Sequence, residues 1–355
     1  MGSVTIPVSD RPFVSIVVPT LNEEHYIEAC LNSLVGQWPE GSYEILIMDG
    51  GSTDRTKQIV SSFCEHYPAV VLQVNPRRIQ SSAMNLAAQL ASQQATVLVR
   101  ADAHALYPPD FVARCVAALV ANNATSVVVP MHTRARPGAV LQTSIAAAQS
   151  SRLGNGGAAH RFSANSGFVE HGHHAVFDRA FFCSIGGYDE SFSHNEDAEL
   201  DVRAIEAGGR IWMCAEAPVT YYPRDRLGRL ARQYFRHGAG RARTLRKHRL
   251  KPKPRQMIPV VALAGCAAGV ITAPFVPTLA LFALLYPATC LSWGVHGAIN
   301  RRDPRMLAGG LALMTMHLSW ATGFLAASAR PVPGLVATAL GSFWRANAAI
   351  AAEPR

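Results

Sequence analysis

Three carboxylates stand where a strand-and-helix sheet would present them to a ligand. Glu23 follows the run Val14-Ser-Ile-Val-Val-Pro19. Asp49 ends Tyr43-Glu-Ile-Leu-Ile-Met48 and precedes Gly50-Gly51-Ser52-Thr53-Asp54. Asp102 and His104 follow Ala95–Arg100. An acid followed by two glycines lets backbone and carboxylate approach a ligand closely, and Ser52 or Thr53 suits a helix N-cap. Asp54 alone reads as part of an ordinary turn into that helix. Three acids at one sheet edge repel one another unless a ligand or cation uses them, so Glu23, Asp49 and Asp102 together read as a site. A further acid-rich stretch, Asn195-Glu-Asp-Ala-Glu199, also has the look of an exposed helix start, because acids favour first turns. His171-Gly-His-His174 has no Cys or acid at ligand spacing, and its glycine points to a loop rather than a metal cluster.

The elements needed to position these groups alternate along the chain. Strands are expected over residues 14–19, 43–48, 70–74, 95–100 and 126–130, and helices over 28–35, 54–66, 80–93 and 110–121. This pattern predicts an α/β domain with a mostly parallel sheet covered by helices on both faces. Ligands of such sheets sit beyond the carboxyl ends of the strands, where the three acids fall.

These motifs resemble a known family. Val-Ser-Ile-Val-Val-Pro-Thr-Leu-Asn-Glu-Glu24 and Asp49-Gly-Gly-Ser-Thr-Asp54 are similar to the opening of family 2 glycosyltransferases. Arg100-Ala-Asp-Ala-His104, Gly186-Gly-Tyr-Asp-Glu190 and Asn195-Glu-Asp-Ala-Glu199 look closest to the succinoglycan-biosynthesis glucosyltransferases. The resemblance covers about residues 14 to 240. It implies a Rossmann-like GT-A fold and an inverting, nucleotide-sugar-dependent transfer, with UDP-glucose as the expected donor. It further implies that Pro19, Glu23, Asp49 and Asp102 bind the nucleotide-sugar. Carboxylates suit this role because they accept from a uracil N–H and ribose hydroxyls. Asp102 takes the last acid of the family's D-x-D, which binds Mg²⁺ or Mn²⁺ at the diphosphate. The first acid is replaced by Arg100. His104 follows as D-x-H and would share the metal, with Mn²⁺ favoured over Mg²⁺ by an imidazole. As a strand-like stretch, this would point Asp102 and His104 to one side. Glu196-Asp197 matches the family's E-D pair. Asp197 is the implied general base, with Glu196 shaping the acceptor site.

The chain of 355 residues carries a formal charge of +9, unevenly placed. Residues 224–255 hold 13 basic side chains and one acid, a balance of +12 that leaves the other 323 residues at −3. Such a distribution excludes a protein basic all over, and the 49% hydrophobic fraction excludes a mainly disordered chain. Leu227, Leu230, Ala231, Tyr234 and Phe235 recur at helical spacing among arginines, the pattern of a basic amphipathic helix in a membrane interface with anionic lipids. Gln233-Tyr-Phe-Arg236-His237 resembles the family's Q-x-x-R-W, with His for Trp. Gln233 and Arg236 are three apart, on one helix face, and Arg236 suits a diphosphate.

No formal charge occurs from Gln256 to Asn300, nor from Met306 to Ala329. The first run is long enough as helix for roughly two crossings of a ~30 Å hydrocarbon core, and the second for one. Residues 331–352 are a candidate fourth span. The expected organisation is a tail at 1–13, a catalytic domain at 14–222, the basic helix at 223–255 and a membrane region at 256–355. The basic flank predicts a cytoplasmic catalytic domain on an inner membrane and disfavours nucleic acid as partner. The N-terminus lacks a signal pattern, and the seven scattered cysteines suit a reducing compartment. The expected acceptor is a lipid-linked saccharide in exopolysaccharide biosynthesis. The rival readings are a processive polysaccharide synthase and a membrane protein with an inert sugar-nucleotide site.

Overall fold

The computed structural model describes residues 11–156 and 165–329. Most of the expected tail (1–13) and the candidate fourth span lie outside them. The early elements are β1 (Phe13–Thr20), α1 (Ile27–Leu34), β2 (Tyr43–Asp49), α2 (Thr56–His66), β3 (Val70–Val74), α3 (Gln80–Leu90), β4 (Ala95–Arg100), β5 (Ala105–Leu106), α4 (Phe111–Ala121) and β6 (Ser126–Val129). These follow the alternation in the sequence to within a few residues. Next come β7 (Met131–Thr133), α5 (Val140–Gln149), α6 (Arg152–Asn155), β8 (Gly167–Val169), β9 (His173–Asp178), α7 (Arg179–Ser184), α8 (Glu196–Glu206), β10 (Ile211–Met213) and β11 (Val219–Tyr221). The chain then turns helical: α9 (Leu227–Lys247), α10 (Pro254–Thr272), α11 (Pro277–Arg301), a 3₁₀ turn (Pro304–Ala308) and α12 (Gly309–Ser328).

Eight strands form one sheet in the order β3-β2-β1-β4-β9-β6-β10-β8, and β5-β11-β7 form a second, small sheet. β1 is central because its run is apolar on both faces: Val14, Ile16, Val17 and Val18 are all fully buried. The β3-β2-β1-β4 half is parallel. The expectation of a mostly parallel sheet is corrected in the other half. β9 runs antiparallel between β4 and β6, and β8 antiparallel beside β10, so the sheet is mixed. β9 escapes a local reading because its Gly-His-His start looks like a loop. Its register is set by partners far away in sequence. Gly172 is required there, since a Cβ would meet Val128 at 2.5 Å.

The basic helix does not lie free. The apolar stripe expected to face lipid is covered by protein. Leu230 is fully buried in a cluster with Ile145, Leu313 and Met316, against which Leu227 and Tyr234 pack. Helices α9 and α12 touch at backbone distance: a Cβ at Gly238 would fall 2.0 Å from the Trp320 carbonyl oxygen, and one at Gly323 2.0 Å from that of Phe235. Several cations of the collar are also engaged internally. Arg243 donates to the Ser191 carbonyl, Arg246 to that of Ala327, and Lys247 to Asp189 and Glu199. Arg229, Arg232 and Arg236 remain exposed. Two helices are long and apolar enough to cross a membrane, residues 254–272 and 304–328. Outward faces of α10 and α11 carry exposed Ile258, Val261, Val270, Ile271, Leu281, Leu284 and Leu285.

Candidate active site

Two loops beyond the carboxyl ends of β1 and β2 are zipped together. Asn22 donates its N–H to Ser52 Oγ (2.9 Å), and its side-chain oxygen accepts from the Thr53 N–H (2.8 Å). The Glu23 N–H donates to Thr56 Oγ1 (2.8 Å). Asp54 accepts from the N–H groups of Thr56 and Glu24, so it is the turn group expected, and it caps α2 in place of Ser52 or Thr53. Asp49 is 4% exposed, and its carboxylate accepts from the N–H groups of Gly51 (2.9 Å) and Ser52 (3.0 Å). Its carboxylate is therefore occupied in shaping the turn, while Glu23 points outward.

A cleft of about 150 Å³ opens here, lined in part by Pro19, Glu23, Arg78, Gln80, Asp102 and His104. A larger concavity of about 1770 Å³, around Trp38, Tyr67 and Trp212, includes none of the expected site residues. Asp102 and His104 do line the same cleft, but from a turn rather than a strand: the Ala105 N–H bonds back to the Asp102 carbonyl (3.0 Å). Asp102 Oδ1 accepts from Gln80 Nε2 (2.9 Å) and lies 3.4 Å from Arg100 Nε; Oδ2 is 3.6 Å from His173 Nε2. His104 Nδ1 lies 3.2 Å from Glu23 Oε1. With Nδ1 held by a carboxylate, the other ring nitrogen is oriented and available to a cation, the usual arrangement of a ligating histidine. Among the described residues no three His, Cys, Asp or Glu side chains converge as a ready-made metal site.

Arg100 joins this cleft to α8. The guanidinium is 5% exposed; Nη1 lies 2.6 Å from Asp197 Oδ1 and 3.1 Å from Tyr188 Oη, and Tyr188 Oη donates to the same Asp197 oxygen at 2.8 Å. Gly186 and Gly187 precede Tyr188 with φ of 80° and 62°, and a Cβ at Gly187 would fall 2.3 Å from Asn85 Oδ1. That turn needs glycine to deliver the tyrosine. Asn195 enters α8 in the left-handed region (φ 66°), held by its Nδ2 on Thr244 Oγ1 of α9 (2.9 Å). The acids of α8's first turn are not an exposed helix start: Glu196 is 9% and Glu199 0% exposed.

The electrostatics separate the acids. Burial opposes ionisation of Asp102, but Arg100, then His173 and His104, outweigh it and hold the carboxyl below its usual range. Burial likewise opposes ionisation of Asp197, yet Arg100 holds it well below the carboxylate range. Burial, reinforced by adjacent Asp197, pushes Glu196 up to about 7. His173 is brought down to about 4 by burial and is neutral near pH 7. His171 and His174 both contact Asp201, His174 Nε2 at 2.6 Å from Oδ1.

Gln233 Nε2 donates to Tyr221 Oη (3.2 Å), and the Tyr221 ring meets His104 edge-on at 5.8 Å. Gln233 thus reaches the cleft through a tyrosine. Arg236 is exposed and lies close enough to His194 to help push its imidazole down to about 4, after burial. Arg78, Gln80, His173 and Tyr188 were missed by sequence reasoning. Arg78 had a faint signal, since it follows β3 at the same sheet edge.

Residues 15–185 match the model of the glycosyl transferase family 2. The chain is 44% identical over 310 residues to the succinoglycan biosynthesis protein ExoA of Rhizobium meliloti (strain 1021), spanning 87% of this chain and 93% of that protein. The chain belongs to the family 2 glycosyltransferases. It is also 24% identical over 249 residues to a Methanococcus voltae enzyme, dolichyl N-acetyl-alpha-D-glucosaminyl phosphate 3-beta-D-2,3-diacetamido-2,3-dideoxy-beta-D-glucuronosyltransferase, covering 66% of this chain and 74% of that one. Among solved structures, the mannosyltransferase PcManGT of Pyrobaculum calidifontis, in complex with GDP-Man and Mn²⁺, superposes with a TM-score of 0.59 at 22% identity, covering 89% of this chain and 87% of that one. This likeness shows that the mixed sheet and its helices are a GT-A-type fold. As a family 2 enzyme, the chain is a glycosyltransferase, and the cleft at the ends of β1 and β4 is its candidate active site.

Proposed function

We propose that this transferase moves a hexose, with glucose from UDP-glucose the first donor to test, onto a lipid-linked saccharide during exopolysaccharide synthesis, with inversion at the anomeric carbon. One observation carries the reading: Arg100 brings Asp102, in the nucleotide-sugar cleft, and Asp197, in the acid pair of α8, onto one guanidinium. Donor and base are thereby adjacent, as a direct displacement requires.

Pro19 and Glu23 line the nucleotide edge, with Asp49 forming the turn beneath it. Asp102 and His104 are the two protein donors for Mn²⁺ or Mg²⁺, and the donor diphosphate would complete the set. The cation's contribution is to neutralise charge on the leaving nucleoside diphosphate. Arg78 lines the same cleft, and Arg236 supplies positive charge above it. The pair Glu196 and Asp197 provides the base.

The expected exopolysaccharide role is supported by the succinoglycan relative, and the expected lipid-linked acceptor by the dolichyl phosphate named for the Methanococcus enzyme. In this reading α10, α11 and α12 insert into an inner membrane, the collar 223–255 keeps the catalytic domain cytoplasmic, and exposed Arg229 and Arg232 meet anionic lipid. Nucleic acid is not a partner.

The test is to incubate membranes holding the enzyme with labelled UDP-sugars, lipid extract and a divalent ion. Label in the lipid fraction is expected. Long polymer would favour a processive synthase, and no transfer from any donor would favour an inert site.

A further inference from the structure

Glu196 and Asp197 are adjacent in sequence and opposite in circumstance. Asp197 Oδ1 is gripped by Arg100 at 2.6 Å and Tyr188 at 2.8 Å. Arg100 is 5% exposed, cannot shed its proton, and needs a counter-charge. Glu196 is 9% exposed, and among the described residues no hydrogen bond or ion pair from another residue reaches its carboxylate. A buried acceptor with no donor is costly unless a ligand supplies one. A sugar hydroxyl is such a donor.

We propose that Glu196, not Asp197, is the general base, and that Asp197 is a positioning residue that fixes Arg100 and Tyr188. The assignment rests on the transferase reading above. A Glu196 carboxylate oxygen takes the proton of the acceptor hydroxyl while that hydroxyl's oxygen forms its bond to the anomeric carbon. The bond from that carbon to the diphosphate oxygen breaks, and its electron pair leaves with the nucleoside diphosphate. Glu196, now neutral, returns the proton to water. The carboxyl that burial and Asp197 push up to about 7 is matched to this work, whereas one held ionised by Arg100 is a weak base.

The experiment compares Glu196→Gln, Asp197→Asn and Arg100→Met/Asp197→Asn in the full-length enzyme. Transfer of labelled hexose to lipid is followed across pH, and folding is checked by circular dichroism. Glu196→Gln is expected to lower kcat by about 10²–10⁴-fold with donor KM little changed, and to lose the rise in rate near pH 7. Asp197→Asn also loses activity, because Arg100 is stranded. Removing both charges in the double variant restores at least about tenfold over Asp197→Asn and keeps the rise near pH 7. The proposal is overturned if Glu196→Gln keeps that rise, or if the folded double variant turns over no faster than Asp197→Asn. Absence of transfer by the wild type would instead overturn the transferase reading, and this assignment with it.

Discussion

Arg100 Nη1 lies 2.6 Å from Asp197 Oδ1, joining residues 97 positions apart. A cation therefore stands where the family pattern carries an acid. It faces Asp102 through Nε and Asp197 through Nη1, so the cleft holds both carboxylates ionised while burying them. The substitution that looked like a lost catalytic acid is a bridge between donor cleft and acid pair.

Arg100→Met should therefore destabilise the fold by about 3–5 kcal/mol, because it leaves Asp197 without its partner. Arg100→Lys should fall between, since one ammonium cannot span both carboxylates as a guanidinium does. Denaturant unfolding of the detergent-solubilised enzyme measures both. Equal stability of Met and wild type would show that the pair is incidental.

The raised Glu196 carboxyl has a consequence for stability. Its folded pKa of about 7 lies above the unfolded 4.5, so the folded state binds the extra proton. Its contribution is fully favourable below about 4.5 and is lost as pH rises toward 7. Glu196→Gln removes this dependence. The variant should gain on wild type across that window by on the order of 3 kcal/mol, then run parallel above it. Thermal unfolding at a series of pH values reads this directly, and a constant difference would mean that the carboxyl titrates normally.

Asp102 and His104 supply the only two protein donors assigned to the cation. Chelation should abolish transfer, and Mn²⁺ should restore it better than Mg²⁺ because of the imidazole. Electron paramagnetic resonance of Mn²⁺ with UDP present should show at least about tenfold weaker binding for His104→Ala, the scale on which losing a supporting group weakens a metal site. Unchanged binding would remove His104 from the site.

Close contact of α9 with α12 depends on glycine. Gly238→Ala places a methyl 2.0 Å from the Trp320 carbonyl oxygen and must push the helices apart. The expected cost is about 1–3 kcal/mol, with a lower midpoint of thermal unfolding. The same replacement at Gly228, where nothing lies within 4 Å of an added Cβ, is the control and should change little.

Much of this site was legible in the sequence because βα turns are local. Glu23, Asp102 and His104 were found from their places after strands, and the structure gathers them in one cleft. Asp49 was found too, but its neighbours' N–H groups occupy its carboxylate. The first four parallel strands were readable from continuous apolar runs. β8 and β10 were not, being three residues each, and β9 was hidden because its pairing with β4 and β6 is a tertiary fact. The Arg100–Asp197 bridge and the Tyr188 hydroxyl were invisible for the same reason. The collar helix was read correctly as amphipathic, but its partner was not: α12 and α5 offer its apolar stripe a protein surface.

The central claim, displacement at the anomeric carbon by an acceptor hydroxyl, is tested most directly by the configuration of the new linkage. The full-length enzyme, supplied with the α-linked UDP-hexose it accepts and with lipid acceptor, should give a β-linked sugar in the proton NMR spectrum of the released glycan. An α-linked product would contradict it.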